Sequence, residues 1–154
     1  MGHFFRDCTF ALPVAVRAQK ETIEASNVYV YSSSAHVRND TDSTLRALMF
    51  KNITIIRNGA KLVESLCDNH ESLDIIVVDE ASADMRPHTI REAVSKFTGR
   101  FVSIIVLTKV AEDDQTVGQT SEYMVATKQL RSLVDALNRH FAEVEQHAAS
   151  DLSE

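Results

Sequence analysis

Three polar residues stand directly after apolar runs in this sequence, and together they form a coherent chemical set. Asp79 closes "LDIIVVD", Thr108 closes "FVSIIVLT", and Lys128 follows "EYMVAT". Brought to one edge, a carboxylate, a hydroxyl and an ammonium suit the acceptance of a phosphoryl group. Asp79 would be the nucleophile, Thr108 a donor to a phosphoryl oxygen, and Lys128 the neutralising charge. A further run, "NVYVY" from Asn27 to Tyr31, delivers Ser32, Ser33 and Ser34 to its own end. Small hydroxyls at that place raise the question of what they face, and why they carry no charge.

Such convergence requires the runs to be strands of one sheet. Val28, Tyr29, Val30 and Tyr31 are β-branched or aromatic, the types that suit a pleated, packed surface. "LDIIVVDE" places four consecutive Ile and Val residues between acids, a pattern for a strand covered on both faces. "NITIIRNG" is a shorter run stopped by Asn58-Gly59. Between the runs, apolar residues recur at helical spacing. Val37, Thr41, Leu45, Leu48 and Met49 form one stripe, and Leu62, Val63, Leu66 and Cys67 the next. Ile90, Ala93, Val94 and Phe97 follow behind Pro87, which is well placed for a helix first turn. Leu130 to Val144 trace a long amphipathic helix. This alternation predicts an α/β fold, a doubly wound five-stranded parallel sheet of flavodoxin-like type. In such sheets, ligands gather at the carboxyl ends of the strands.

One crossover is thin. "KVAEDDQTVGQTSE" has few apolar residues to bury, so a loop or single turn is expected and the fourth helix of the wound unit is degenerate. Residues 1–26 form an N-terminal arm with a helix expected from Pro13 to Glu24, residues 27–147 the wound domain, and 148–154 a polar, disordered tail.

Composition bounds the function classes. A net charge of −6 with scattered Lys and Arg argues against a nucleic-acid surface. Cys8 and Cys67 have no metal-ligand spacing and indicate no disulfide framework, so a reducing cytoplasm is the expected compartment. The apolar run from Phe10 to Val16 holds Pro13 and is flanked by Arg6, Asp7 and Arg17, too short and too charged to span a membrane. The six histidines form no zinc pattern.

Asp79 at its strand end, Thr108, Lys128 and the Gly59 ahead of the second helix, in this order, resemble the receiver domain of two-component response regulators. The resemblance covers roughly residues 27–141 and includes Asp74 and Asp79, which frame "DIIVVD". It implies a non-enzymatic module of phosphorelay signalling, with Asp79 as the phospho-acceptor and Thr108 and Lys128 in support. A sensor histidine kinase or other signalling protein would be the partner, as would a second copy in a homodimer.

The departures from the family pattern are concentrated in the metal site. Receivers normally end the first strand with two acids that hold a divalent cation; this chain has Ser32 and Ser33. Hydroxyls are poor ligands for Mg²⁺, so no cofactor is expected, with Mg²⁺ the open alternative that Ser32 and Ser33 disfavour. Without a cation, the charge on a transferring phosphoryl group loses its main stabiliser. Gln129 replaces the proline usual after the lysine, and Val125 stands where an aromatic switch residue is expected, with Tyr123 nearby. The expectation is an atypical, single-domain receiver with weak or no phosphorylation at Asp79, the alternative being a genuine phospho-acceptor switch. Asp40, Asp42 and Glu80 are read as surface acids and Cys67 as a core residue. A flavodoxin-like cofactor-binding protein is the reading from another class. "SSSAHVRNDT" offers hydroxyls to a phosphate but no glycine to wrap it.

Overall fold

The computed structural model describes residues 15–69, 72–109 and 122–152. Strands β1 (Asn27–Tyr31), β2 (Asn52–Ile56), β3 (Ile75–Asp79), β4 (Ser103–Thr108) and β5 (Met124–Thr127) pair in parallel throughout, in the order β2-β1-β3-β4-β5. The two continuous apolar runs occupy the interior, as their composition requires. Every residue of β3 is buried, and β4 is buried up to Thr108. The short run "NITII" is the edge strand β2, where Ile55 stays 39% exposed.

Helices cover both faces. On one, Leu45 of α2 (Ala35–Ala47) and Leu133, Leu137 and Phe141 of α5 (Leu130–Leu152) pack with Val28, Val30, Ile75, Val77 and Leu107. Ile23 of the short helix α1 (Lys20–Ala25) joins this layer. On the other face, Leu62 and Leu66 of α3 (Gly59–Asn69) and Ile90 and Val94 of α4 (Pro87–Phe97) pack on Tyr29, Tyr31, Ile76 and Val78. Strand alternation therefore sorts each strand's residues between two cores.

Several local expectations are corrected. Of the helix expected from Pro13 to Glu24, residues 15–19 are irregular and Lys20–Ala25 helical, while 13 and 14 lie outside the described residues. Helix α5 continues through Leu152, so 148–152 are helical rather than a tail. Cys67 is exposed, because only Leu62 and Leu66 of its stripe point straight at the sheet. Met49 lies past the end of α2 with a φ of 84°, a left-handed turn residue 39% exposed. The thin crossover at 110–121 and the arm's residues 1–14 lie outside the described residues.

At the amino edge, Asp74 joins three segments. Its Oδ2 accepts from Asn27 N (2.9 Å) and its Oδ1 pairs with Arg100 Nη2 (3.0 Å). Its backbone N–H donates to Asn27 O and its carbonyl accepts from Ser103 N, both at 3.0 Å. Asp74 thus frames β3 from the end opposite Asp79.

On that same edge, His140 of α5 is 2% exposed, with Nδ1 2.6 Å from Ser103 Oγ. Phe101 stacks beside it and Phe141 meets it edge-on. Burial pushes the His140 imidazole down to about 4.

Candidate functional site

Asp79 ends β3 at the carboxyl edge and is only 2% exposed. Its residue parity places it on the α2/α5 face, following Ile75 and Val77. Ser32 follows Val28 and Val30 on the same parity, and Lys128 follows Met124 and Ala126. Strands β1 and β3, which are neighbours, and β5, one strand beyond β4, therefore bring a hydroxyl, a carboxylate and an ammonium to one place.

One oxygen of the carboxylate accepts from Ser32 and from one further hydroxyl, and the other faces Lys128. Asp79 Oδ2 accepts from Ser32 Oγ at 2.9 Å and from Ser82 Oγ at 2.8 Å. Asp79 Oδ1 faces Lys128 Nζ at 3.4 Å, an ion pair too long for a well-formed hydrogen bond. Lys128 keeps 41% of its side chain in solvent, so its charge is partly screened. Burial acts upward on the Asp79 carboxyl and is the largest single influence. The hydrogen bonds from Ser82 and Ser32, with the Lys128 charge, together outweigh it, and the group is held below the usual aspartate range.

Ser82 is the residue that sequence reasoning missed. It sits in the turn after β3, where Ser82 N and Ala83 N both donate to Asp79 O. This turn folds the hydroxyl back onto the side chain of the strand's last residue. A small hydroxyl three positions beyond a strand-end acid was the available signal. Ser82 also fixes the role of Ser33, whose N–H donates to Ser82 Oγ and whose hydroxyl donates to Ser82 O, both at 3.0 Å. Ser32 touches the carboxylate directly, whereas Ser33 holds the turn that presents Ser82. Ser34 caps α2 by accepting from Val37 N. The opening serines face Asp79, its turn and a helix end.

The same loop is tied at its far side. Tyr31 donates its hydroxyl to Asp84 Oδ1, which also accepts from Gly59 N at 2.9 Å. A Cβ at Gly59 would lie 2.7 Å from Met85 Cγ, so any larger residue there would push the methionine side chain aside.

Thr108 is not brought to Asp79. The residue registered opposite Asp79 on β4 is Leu107. Thr108 belongs to the other face by parity, and its hydroxyl donates weakly to the Ala126 and Lys109 carbonyls, at 3.4 and 3.3 Å. Asp40 and Asp42 point to ion pairs along α2, with His36 and Arg46, and Glu80 is exposed. Tyr123 is half-buried against the α3/α4 core rather than at Asp79.

One carboxylate stands among hydroxyls, with an ammonium already beside its second oxygen. Among the described residues, no group of three or more His, Cys, Asp or Glu is placed to hold a metal.

Wound order, parity and strand-end site define a class, the receiver-type flavodoxin-like fold, and solved structures bear this out. No protein-family model matches the sequence, and no curated protein does. A response regulator receiver domain protein from Bacillus halodurans is similar at 14% identity, over 73% of this chain and 96% of that one, with a TM-score of 0.57. The receiver domain of the histidine kinase CKI1 from Arabidopsis thaliana, complexed with Mg²⁺ and BeF₃⁻, is similar at 13% identity. The match covers 82% of this chain and 97% of that one, with a TM-score of 0.61. A mutant of that domain is similar at 14% identity, over 86% and 97%, with a TM-score of 0.61. At these identities the likeness is one of fold.

Proposed function

We propose that this chain is an atypical receiver acting in two-component signalling through protein–protein contacts, with weak or no Mg²⁺-dependent phosphorylation at Asp79. The observation that carries the reading is the state of the acceptor carboxylate. Two hydroxyls donate to Oδ2, the Lys128 ammonium stands 3.4 Å from Oδ1, which accepts no hydrogen bond, and the positions expected to hold a cation are serines. In a receiver built for phosphoryl transfer, a metal neutralises the charge that develops on the transferring group. Here Lys128 balances Asp79 without one. The balanced pair holds the edge in a single arrangement, a fixed adaptor surface rather than a phosphate-driven switch. The partner class is a sensor histidine kinase or another signalling protein. Among the described residues no helix is long and apolar enough to cross a membrane. We assign no enzymatic activity and place the protein in the cytoplasm.

The test is a Mg²⁺ titration of the ¹⁵N-labelled chain followed by beryllofluoride. The expected result is no saturable amide shift at Ser32, Asp79 or Lys128 up to millimolar Mg²⁺, and none on adding the phosphoryl analogue. Saturable binding, with analogue shifts around Asp79 and Thr108, would establish the phospho-acceptor switch instead.

A further inference from the structure

The amino edge of the sheet, opposite Asp79, carries an open cleft of about 610 Å³. Ala25 of α1 and Phe141 and Val144 of α5 give it apolar walls, Glu21, Asp74 and Arg100 add charged groups, and the buried His140 forms part of its lining. Its size is that of a small-molecule site, roughly 300–1,000 Å³. None of its lining residues belongs to the strand-end site around Asp79.

His140 is held in one orientation. Phe101 stacks on its ring with centroids 5.9 Å apart, and Phe141 meets it edge-on at 4.8 Å. Ser103 Oγ, 2.6 Å from Nδ1, fixes the tautomer as well. The Ser103 side chain is buried, and among the described residues its hydroxyl has His140 as its one partner. Were Nδ1 to donate, the serine hydrogen would be left unpaired in the interior. With the serine donating, only the Nε2–H remains without an acceptor. Burial keeps the imidazole neutral at pH 7, so Nε2 presents a single N–H. That nitrogen is not sealed in, because Asp79 Oδ1 is the one fully buried side-chain polar atom without a partner among the described residues. Nε2 therefore reaches open space, and the cleft is the open space that His140 borders.

Charge narrows the choice of ligand. Arg100 is committed to Asp74 at 3.0 Å, and the second Asp74 oxygen accepts from Asn27 N. The further charge on the lining is the Glu21 carboxylate, which repels an anion. We propose that the cleft binds a small, uncharged molecule with an apolar body and a carbonyl oxygen, the body lying against Phe141 and Val144 and the oxygen accepting from His140 Nε2–H. A donor left unpaired in apolar surroundings is costly, so a ligand that brings the acceptor gains more here than it would in water. The rigid aromatic stack holds the donor in place before the ligand arrives.

The probe is acetophenone, a phenyl ring with one carbonyl acceptor and no donor, titrated into the ¹⁵N-labelled full chain. Saturable shifts are expected at the Ala25, Asn27 and Val144 amides. His140→Phe keeps an aromatic ring but loses the donor, and should bind the probe about three- to tenfold more weakly, the worth of one neutral hydrogen bond. His140→Gln, which restores an N–H donor, should recover part of that loss. Absence of saturable shifts at the cleft overturns the proposal. Equal affinity in His140→Phe also overturns it, reducing the probe to an adventitious apolar guest. A measurement on the parent protein is independent of how the variants fold: long-range ¹H–¹⁵N correlation should place the ring hydrogen on Nε2, and a hydrogen on Nδ1 instead refutes the assignment.

Discussion

Replacing Ser82 by Ala tests whether the turn hydroxyl holds Asp79. In the native site Ser82 Oγ gives its proton to Asp79 Oδ2 at 2.8 Å, an ionic acceptor that is 2% exposed. Hydrogen bonds to charged groups contribute roughly 1.5–3 kcal/mol. Oδ2 keeps Ser32 as a donor, and the Ser33 N–H that loses its acceptor is close to solvent, so a loss of about 2 kcal/mol at pH 7 is expected. Guanidinium unfolding measures it. The sign with pH follows from the same bond. Asp79 is held below its ordinary value of 3.8, so its stabilising contribution is present above that pH and lost as pH falls through the folded value. In Ser82→Ala, burial is less opposed, the Asp79 carboxyl titrates at higher pH, and the contribution shrinks. The gap between the two proteins should therefore narrow in acid, where Asp79 is protonated in both. Stability within roughly 0.5 kcal/mol of the parent at pH 7, with an unmoved Asp79 ¹³C carboxyl titration, would refute the reasoning.

His140 sets an acid sensitivity of its own. Its folded value of about 4 lies below the ordinary 6.5, so its contribution is complete above pH 6.5 and is lost as pH falls towards 4. That amounts to about 2–3 kcal/mol between pH 7.5 and 4.5. His140→Gln should flatten this slope in urea melts even as it lowers stability at neutral pH, and an unchanged slope would overturn the assignment. His88, raised by Glu122 and Glu92, acts in the opposite direction and is common to both proteins. Val77→Asp places an unpaired charge at a position 1% exposed, between Val30 and Ile105 in the sheet, and should abolish folding by circular dichroism and amide dispersion. A folded variant with nearly unchanged Tm would contradict the strand assignment and the site built on it.

The strands were legible because their burial is written into composition. Four consecutive Ile and Val residues have no amphipathic helical reading, and their order along the chain predicts the winding. Asp79 and Lys128 could be placed from strand ends alone. Thr108 could not, because its facing depends on registry: pairing Asp79 with Leu107 turns the threonine to the other core. Ser82 escaped because its position is made by a turn whose geometry is set by bonds to Asp79 O, not by periodicity. Cys67 and Met49 fitted a helical stripe by spacing. One sits on the stripe's solvent margin and the other lies past the end of α2, since spacing reports which way a residue points but not where the helix stops.

Asp74 carries a consequence at a distance. A parallel sheet without hairpins has no short turn to fix how far each strand slides against the next, and a slip of one residue exchanges the faces of every side chain. In β3 such a slip would move Val77 and Val78 into each other's cores and swing Asp79 away from Ser32 and Lys128. Asp74 marks the start of the strand with a carboxylate that meets the Asn27 N–H and the Arg100 guanidinium in only one alignment. It serves as an index mark for assembly, a zero point from which Asp79 is counted out five residues later.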